Sequence, residues 1–451
     1  MYLGNSDVVS RLKTWLSQGQ TRAFIYGKKR CGKTSLVNAA LENYKGLVID
    51  VEFVEAPIED NLKRFVTRIQ EVTANSLVDF SSFKDAFAFL GILKTKIVVV
   101  FDGFEGLQNA ESKPGKLMGL FSTLLTNLPT NVSLLILSSS LTLSAPYFAK
   151  GSSWNKLFEF VYELKEFDYL GVLPFRPEFS FNERIPFYSV FGGLPFANLA
   201  LNPFASLEIN IEKLFLSSDG ALRFYAERLA LSELPNHSNA DRILRLLSLG
   251  DKKYSELEDA LSLPNNGSLA RMLKPLLTMG LVSKLCPVNA SQGSEKAFYT
   301  LNDNLLRFYY AFVYGNANAI SKVGEKAFYK EKIQPDLNDY LTSGFTRICR
   351  DYLKRNLKAL GALDAGSYLY EDPKTKESKL YPLALKDKEG FSLFGVYYAQ
   401  KPIAISTLDP EEAAYRALGN LKLSHYGAFA FHGFTGKKDG AILVSGNDLY
   451  L

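Results

Sequence analysis

The sequence predicts a multidomain α/β protein whose first domain is a parallel sheet with helices on both faces. Four short apolar segments alternate with helical patterns between residues 23 and 137, which is typical of parallel strands buried on both faces. From about Phe160 this alternation stops and helical patterns dominate. A second series of strand patterns begins near residue 367. At 451 residues the chain is too long for one core, so several domains are expected.

Composition and charge exclude several classes of protein. With 47% hydrophobic and 22% charged residues, the chain has the composition of an ordinary globular protein. Its net charge of +5 is too small to indicate nucleic-acid binding by itself. Cys31, Cys286 and Cys349 have no metal-ligand spacing, and no apolar run reaches the roughly 18 residues of a membrane span. Since no signal-peptide pattern opens the sequence, we expect a cytoplasmic protein without membrane contact.

The strongest motif is a phosphate-binding loop at residues 27–34. It fits G-x-x-x-x-G-K-[ST] and lies between an apolar strand pattern and a helix pattern that begins at Ser35, the context that this motif requires. Backbone N–H groups of such a loop form an anion site. Lys33 would reach the β- and γ-phosphates, and the Thr34 hydroxyl would bind Mg²⁺. The motif residues, all expected to contact nucleotide, are Gly27, Lys28, Lys29, Arg30, Cys31, Gly32, Lys33 and Thr34, with Ser35 next to them.

An acidic residue and a serine follow two of the other predicted strands. Asp102 ends the most apolar strand pattern, residues 96–101, and is expected to bind the same Mg²⁺ as Thr34. The alternative is an aspartate that only ends a strand. Ser139 follows the strand pattern at residues 133–137 and either senses the γ-phosphate or is an ordinary polar exit from a strand.

The general base for hydrolysis is less clear from the sequence. In this kind of site a carboxylate directly after the strand aspartate would polarise the attacking water, but this position is Gly103. Glu105, three residues after Asp102, and Glu52, at the end of an adjacent strand pattern, are the candidates. Nucleotide binding is therefore better supported than turnover.

Three further regions follow the nucleotide domain, which we assign to residues 1–165. A helical lid is expected at residues 166–235 and contains a Gly-Gly-x-Pro element. Residues 236–303 show the patterns of three helices and a two-stranded hairpin, which are typical of a winged helix. Such a module binds either duplex DNA or another protein. Residues 304–451 begin with aromatic and further helices, at 304–314 and 344–360. Strand patterns then follow at 367–370, 380–385, 391–399, 403–406, 429–432 and 441–444, with a helix at 411–421.

With these parts in order, the chain resembles prokaryotic AAA+ ATPases that are common in archaea and some bacteria. Those proteins join a P-loop domain and lid to a winged helix and a nuclease-like C-terminal domain of unknown function. The resemblance rests on the phosphate loop, Asp102, the serines at 138–140, the Gly-Gly-x-Pro element and the aromatic helix. It implies a C-terminal α/β domain of the PD-(D/E)xK type.

The chain departs from the pattern of that family at several positions. The family usually has glutamate where this chain has Gly103. It usually has an arginine in the segment that corresponds to residues 157–163, which contain none, and an arginine where this chain has Asn5. The nuclease chemistry needs carboxylates on two strands, yet the segments 379–384 and 395–401 contain none. The resemblance therefore implies a degenerate nuclease fold, for which cleavage of DNA is not expected.

The sequence as a whole predicts a Mg²⁺-dependent ATP-binding protein, a slow AAA+ ATPase that acts as a nucleotide-driven switch. Lys33, Asp102 and Glu105 would carry the chemistry, with ATP and ADP as ligands. ATP is preferred to GTP only through the resemblance. The alternative is a nucleotide-gated scaffold without turnover, or a DNA-binding protein that uses the winged helix and the tail. Double-stranded DNA, a protein partner or a second copy of the chain are the candidate partners.

Overall fold

The computed structural model describes most of the chain, in two compact units. The described residues are 3–109, 115–148, 151–234, 237–264, 266–291, 296–419 and 421–451. The first unit is Met1–Glu166 with Leu194–Phe196, and the second is Phe167–Gly193 with Ala197–Leu451.

A five-stranded parallel sheet forms the centre of the first unit. The strands are β1 (Arg22–Tyr26), β2 (Leu47–Glu52), β3 (Ile97–Asp102), β4 (Val132–Ser138) and β5 (Phe160–Glu163), in the order β2-β3-β4-β1-β5. The four predicted strands are confirmed. The fifth was not predicted, because an edge strand of four residues with one buried side chain gives little pattern.

Helices cover this sheet, and one helical pattern of the sequence is divided into two helices. Residues 59–93 read as one helical stretch, but the structure has two helices, because Ala74 ends the first in the left-handed conformation and Ser82 caps the second. The α-helices of the unit are Ser6–Gln18, Lys33–Leu41, Ile58–Thr73, Phe83–Ile92, Phe104–Asn109, Lys116–Thr126 and Leu141–Ser144, and short 3₁₀ helices span Ala145–Phe148 and Ser153–Lys156.

The topology of the sheet positions the candidate site. All residues of β4 and nearly all of β3 are buried, and large aromatic side chains such as Phe101 and Phe121 fill the core. Because the strands are parallel, the carboxyl ends of β1, β3 and β4 meet at one edge of the sheet. The segments that follow these three strands therefore lie together.

The second unit begins with helices, as predicted for the lid region. Its Gly-Gly element is a place of close backbone approach, since a Cβ atom at Gly193 would lie 1.6 Å from the carbonyl oxygen of Phe167. The helices up to residue 229 are Leu173–Phe175 (3₁₀), Phe181–Phe191, Pro195–Ala200, Leu207–Ile211 and Ala221–Phe224, the last two continued by the π-helical turns Glu212–Leu216 and Tyr225–Leu229.

The next region contains the three predicted helices and the predicted hairpin, with one addition. The two-residue strand Lys252–Lys253 pairs with the hairpin and makes a three-stranded antiparallel sheet. A strand of two residues is too short to show an alternation of apolar and polar residues in the sequence. The helices are Ser238–Ser248, Tyr254–Leu261 and Ser268–Thr278, and the hairpin strands are Val282–Leu285 and Phe298–Leu301.

The tail has helices first and then a mixed five-stranded sheet. The long helix begins at Gln334, ten residues before the prediction, with Pro335 in its first turn. Helices are Asn304–Phe308, Ala317–Val323, Glu325–Phe328, Gln334–Arg355 and Asp409–Arg416, with π-helical turns Tyr309–Val313 and Tyr329–Ile333 and 3₁₀ helices Ile405–Leu408 and Asp448–Tyr450. The strands of this sheet lie in the order Ile442–Ser445, Leu423–Ala430, Phe391–Tyr397, Ser378–Lys386 and Asp364–Glu371. A separate two-stranded sheet pairs Ile403–Ala404 with Phe434–Thr435. The strand expected at 429–432 thus spans 423–430 instead.

Candidate functional site

The predicted phosphate loop follows β1 and ends at the helix Lys33–Leu41. Gly27 must be glycine, since a Cβ atom there would lie 2.2 Å from the carbonyl oxygen of Leu164. Its N–H donates to the carbonyl oxygen of Ser138 (3.2 Å), which holds the loop beside the end of β4. Gly32 has φ +95° and forms the N-cap of the helix. The loop therefore ends at a helix N-terminus, where unpaired N–H groups favour an anion.

Lys33 lies inside this loop. It is 5% exposed, and its Nζ donates to the carbonyl oxygens of Gly27 (3.0 Å) and Lys28 (2.9 Å). Among the residues that the structure describes, Nζ has no carboxylate partner. A buried ammonium group with neutral acceptors only is a strong attractor for a phosphate group.

The other side chains of the loop have different surroundings. Lys28 pairs with Glu166 (Nζ to Oε1, 2.5 Å), and Arg30, whose φ is +66°, has its guanidinium 5.2 Å from the ring centre of Phe196. Cys31 is buried, and this burial raises the pKa of its thiol. Lys33 is thus the basic residue of the loop whose charge faces the loop interior.

Thr34 and Asp102, the two predicted metal-binding residues, are in direct contact. The Thr34 hydroxyl donates to Oδ2 of Asp102 (2.6 Å), and Oδ1 of Asp102 accepts from the N–H of Gly103 (2.8 Å). Both line a cleft of about 700 Å³, together with Asn38 and Glu52. A hydroxyl and a carboxylate suit Mg²⁺, which binds through one or two carboxylates and completes its shell with phosphate oxygens and water.

The predicted residues Glu105 and Ser139 are also brought together. The N–H of Ser139 donates to Oε2 of Glu105 (2.8 Å), so the first turn of helix Phe104–Asn109 returns this carboxylate to the end of β4. Glu52 ends β2 in register with Asp102 and is exposed. Both candidate bases therefore lie near the carboxyl end of the sheet, but only Glu105 is fixed by a hydrogen bond to Ser139.

The backbone explains why residue 103 is glycine. Gly103 has φ +70°, and a Cβ atom there would lie 2.5 Å from the carbonyl oxygen of Phe53. The chain after β2 stays close at this point, because the N–H of Phe53 donates to the carbonyl oxygen of Asp102 (2.8 Å). A glutamate directly after Asp102 is therefore incompatible with this backbone.

We expect Gly103→Ala and Gly103→Glu to destabilise the first unit by about 2 kcal/mol or more, because the left-handed conformation and the contact with Phe53 both oppose a side chain. Chemical denaturation followed by circular dichroism measures this. Gly115→Ala is the matched control: Gly115 has φ +93°, and no atom of the described residues lies within 4 Å of a Cβ there, so this variant reports the cost of the backbone conformation. Gly103→Glu with native stability and faster turnover would contradict this account.

Two residues of the site were missed in the sequence. Asn38 lies one helical turn after Thr34 and lines the same cleft, a position that helical spacing could have identified. Glu166 could not be identified, since it is 138 positions from its partner Lys28 and no local pattern connects them.

Two further kinds of feature are absent from the described residues. No group of three or more His, Cys, Asp or Glu side chains arranged to hold a metal ion occurs among them. None of the helices described is both long and apolar enough to cross a membrane. A metal ion in the cleft would therefore depend on Thr34, Asp102 and the bound phosphates.

Two family models match the chain. Residues 8–195 match an ATPase domain found predominantly in Archaea. Residues 309–395 match a family described as "Archaea bacterial proteins of unknown function". The expectation of an archaeal-type ATPase domain is confirmed by the first match, and that of a C-terminal domain of unknown function by the second.

The chain is also similar to individual proteins. An uncharacterised protein of Methanocaldococcus jannaschii is 25% identical over 343 residues, which are 73% of this chain and 72% of that protein. The Walker-type ATPase of Pyrococcus abyssi is 18% identical with a TM-score of 0.47, covering 68% of this chain and 96% of that one. The Aeropyrum pernix ORC2 protein, in its ADPNP-ADP complexes, is 14% identical with a TM-score of 0.48, covering 72% and 97%.

Proposed function

We propose that this protein binds ATP with Mg²⁺ and hydrolyses it slowly, and that its nucleotide state acts as a conformational switch. The observation that carries the proposal is the buried Lys33 ammonium inside the phosphate loop, next to the contact between Thr34 and Asp102. The match of residues 8–195 to an ATPase domain supports it. Loop N–H groups would bind the phosphates, and Lys33 would move from the loop carbonyls to the β- and γ-phosphates.

Each remaining residue has a part in this proposal. Thr34 and Asp102 would hold Mg²⁺, which supplies charge neutralisation at the phosphates when bound. Glu105 would accept a proton from the attacking water. Ser139 would hold Glu105 through its N–H and sense the γ-phosphate through its hydroxyl.

We expect Asp102→Asn to lower the affinity for ATP in Mg²⁺ by roughly tenfold, with little change in EDTA, because the lost charge acts through the metal ion. Calorimetric titration in the two buffers measures both values. The matched control is Asp50→Asn, since Asp50 lines the same cleft but pairs with Arg68. Equal losses in Mg²⁺ and in EDTA would exclude the metal role of Asp102.

The second candidate function is a scaffold that binds nucleotide without turnover. The backbone at Gly103 favours it, since the position next to Asp102 cannot carry the usual glutamate. Phosphate release from ATP in Mg²⁺ decides between the two, because a scaffold binds ATP as tightly but releases no phosphate.

For the region 237–301 we propose a winged helix that contacts duplex DNA or a protein partner. The order helix, short strand, two helices and hairpin supports this. The third helix, Ser268–Thr278, presents Arg271 and Lys274 as exposed basic residues. Duplex DNA added to the phosphate-release assay tests the DNA alternative, and gel filtration with and without ATP tests self-association.

For the tail we propose a degenerate nuclease-like domain that does not cut DNA. The carboxylate nearest Gly395 of the central strand is Glu411, which comes from a helix. Its oxygens accept hydrogen bonds from the hydroxyls of Tyr397, Tyr415 and Tyr426 at 2.7–2.9 Å, so they are occupied by protein donors. We also propose a cytoplasmic location, which three unpaired cysteines support.

A further inference from the structure

A cleft of about 830 Å³ in the second unit gathers three arginines that the proposed nucleotide site does not use. Arg307 comes from the helix Asn304–Phe308. Arg347 and Arg350 come from neighbouring positions on the helix Gln334–Arg355. Three guanidinium groups at one cleft are uncommon unless anionic groups balance them.

Arg307 is buried with donors that are not satisfied. It is 3% exposed; its Nη1 donates to the Ser343 hydroxyl (2.8 Å), and its guanidinium carbon lies 4.3 Å from the ring centre of Tyr340. Its Nε and Nη2 have no hydrogen-bond partner in the part of the chain that the structure describes. Leaving the donors of a buried cation unpaired is costly, so this arrangement favours the binding of an anionic group.

The other two arginines have partners of their own. Arg350 is buried, and its Nη2 lies 4.0 Å from Oδ2 of Asp251. Arg347 donates to the carbonyl oxygen of Leu301, which carries no net charge. Burial and repulsion from Arg307 and Arg350 lower the pKa of Arg347 to about 10, although Asp251 opposes this.

Asp351 also attracts Arg347 and Arg350. The buried Asp303 lies at the N-cap of the helix that carries Arg307. Carboxylates therefore balance much of the charge of the three arginines. What remains unsatisfied on these arginines, among the described residues, is the pair of donors Nε and Nη2 of Arg307.

The rim of the cleft does not satisfy the donors of Arg307 either. Its other charged residues are Lys332, Asp336 and Asp339, and all three are exposed to solvent. Exposed charges are screened by water and salt and act weakly on a buried cluster.

We propose that this cleft binds a small molecule through a dianionic phosphate group. A phosphate group presents several charged oxygens at once, and arginine binds such oxygens in pairs, so one phosphate group can accept from both unsatisfied donors of Arg307. The volume is in the range of pockets for nucleotide-sized ligands, and the site is independent of the phosphate loop.

The test uses the full chain with Lys33→Ala, so that the phosphate loop does not contribute. Orthophosphate is expected to raise its melting temperature by roughly 5 °C at saturation, compared with chloride at equal ionic strength. With the additional change Arg347→Gln, this increase is expected to be lost, while the melting temperature without phosphate stays equal or rises because repulsion is removed. Arg228→Gln removes an exposed arginine elsewhere and should keep the full increase.

A second variant covers the case in which Arg347→Gln does not fold. Thr346→Glu places a carboxylate in the same cleft and is expected to raise the melting temperature without phosphate and to abolish the phosphate effect. A larger increase in melting temperature with AMP than with orthophosphate would identify the ligand as a nucleotide. An equal increase with both would show that the cleft recognises the phosphate group alone. No increase with either anion, or an equal increase in Thr346→Glu, would overturn the proposal.

Discussion

Replacing Lys33 with alanine is expected to lower the affinity for ATP at least about 100-fold. A charge-assisted hydrogen bond contributes about 1.5–3 kcal/mol, and Lys33 would make such bonds to two phosphate groups, so the loss exceeds the roughly 2.8 kcal/mol that 100-fold requires. In the structure its ammonium group is already inside the loop, at hydrogen-bond distance from two loop carbonyls. Calorimetric titration with ATP and Mg²⁺ measures the change.

The control for this variant is the neighbouring lysine. Lys29→Ala removes a charge two residues after Gly27, where the loop is expected to contact phosphate through its backbone N–H, so affinity should change only a few-fold. If Lys33→Ala bound ATP as tightly as the native chain, the phosphate-loop assignment would be wrong.

Replacing Glu105 with glutamine is expected to lower the rate of ATP hydrolysis by roughly 10²–10⁴-fold, the usual contribution of a general base, and to leave ATP affinity nearly unchanged. The amide keeps the size of the side chain and can still accept from the Ser139 N–H, but it cannot accept a proton. Single-turnover phosphate release, together with a binding titration, separates the two effects.

Glu52→Gln is the matched comparison, since Glu52 was the other candidate base. It lines the same cleft as Asp102 but is exposed at the end of β2. We expect a change of a few-fold at most. A large rate loss in Glu52→Gln with none in Glu105→Gln would transfer the role of base to Glu52.

The sequence alone was sufficient for most of the parallel sheet and for the contact between Thr34 and Asp102. Buried parallel strands are continuous apolar runs, and their carboxyl ends must meet at one edge. The phosphate loop therefore comes close to Asp102, although 68 positions separate Thr34 from it. Strand β5 was not predictable in the same way, because its apolar run, residues 160–162, is only three residues long.

Other features depend on contacts between distant segments, which no local pattern reports. Gly103 looks in the sequence like a lost catalytic position, whereas the structure relates it to the approach of Phe53 from the next strand. The pairing of Lys28 with Glu166 and the grouping of Arg307 with Arg347 also join segments that lie far apart in the chain. In each case folding brings the partners together.

The most direct test of the account is phosphate release from ATP by the native chain, with Mg²⁺ and with EDTA, beside Lys33→Ala. We expect slow release that requires Mg²⁺ and is abolished in the variant. Tight ATP binding without any release would contradict the proposed hydrolysis and favour the scaffold, and release that persists in Lys33→Ala would show that it does not arise at this site.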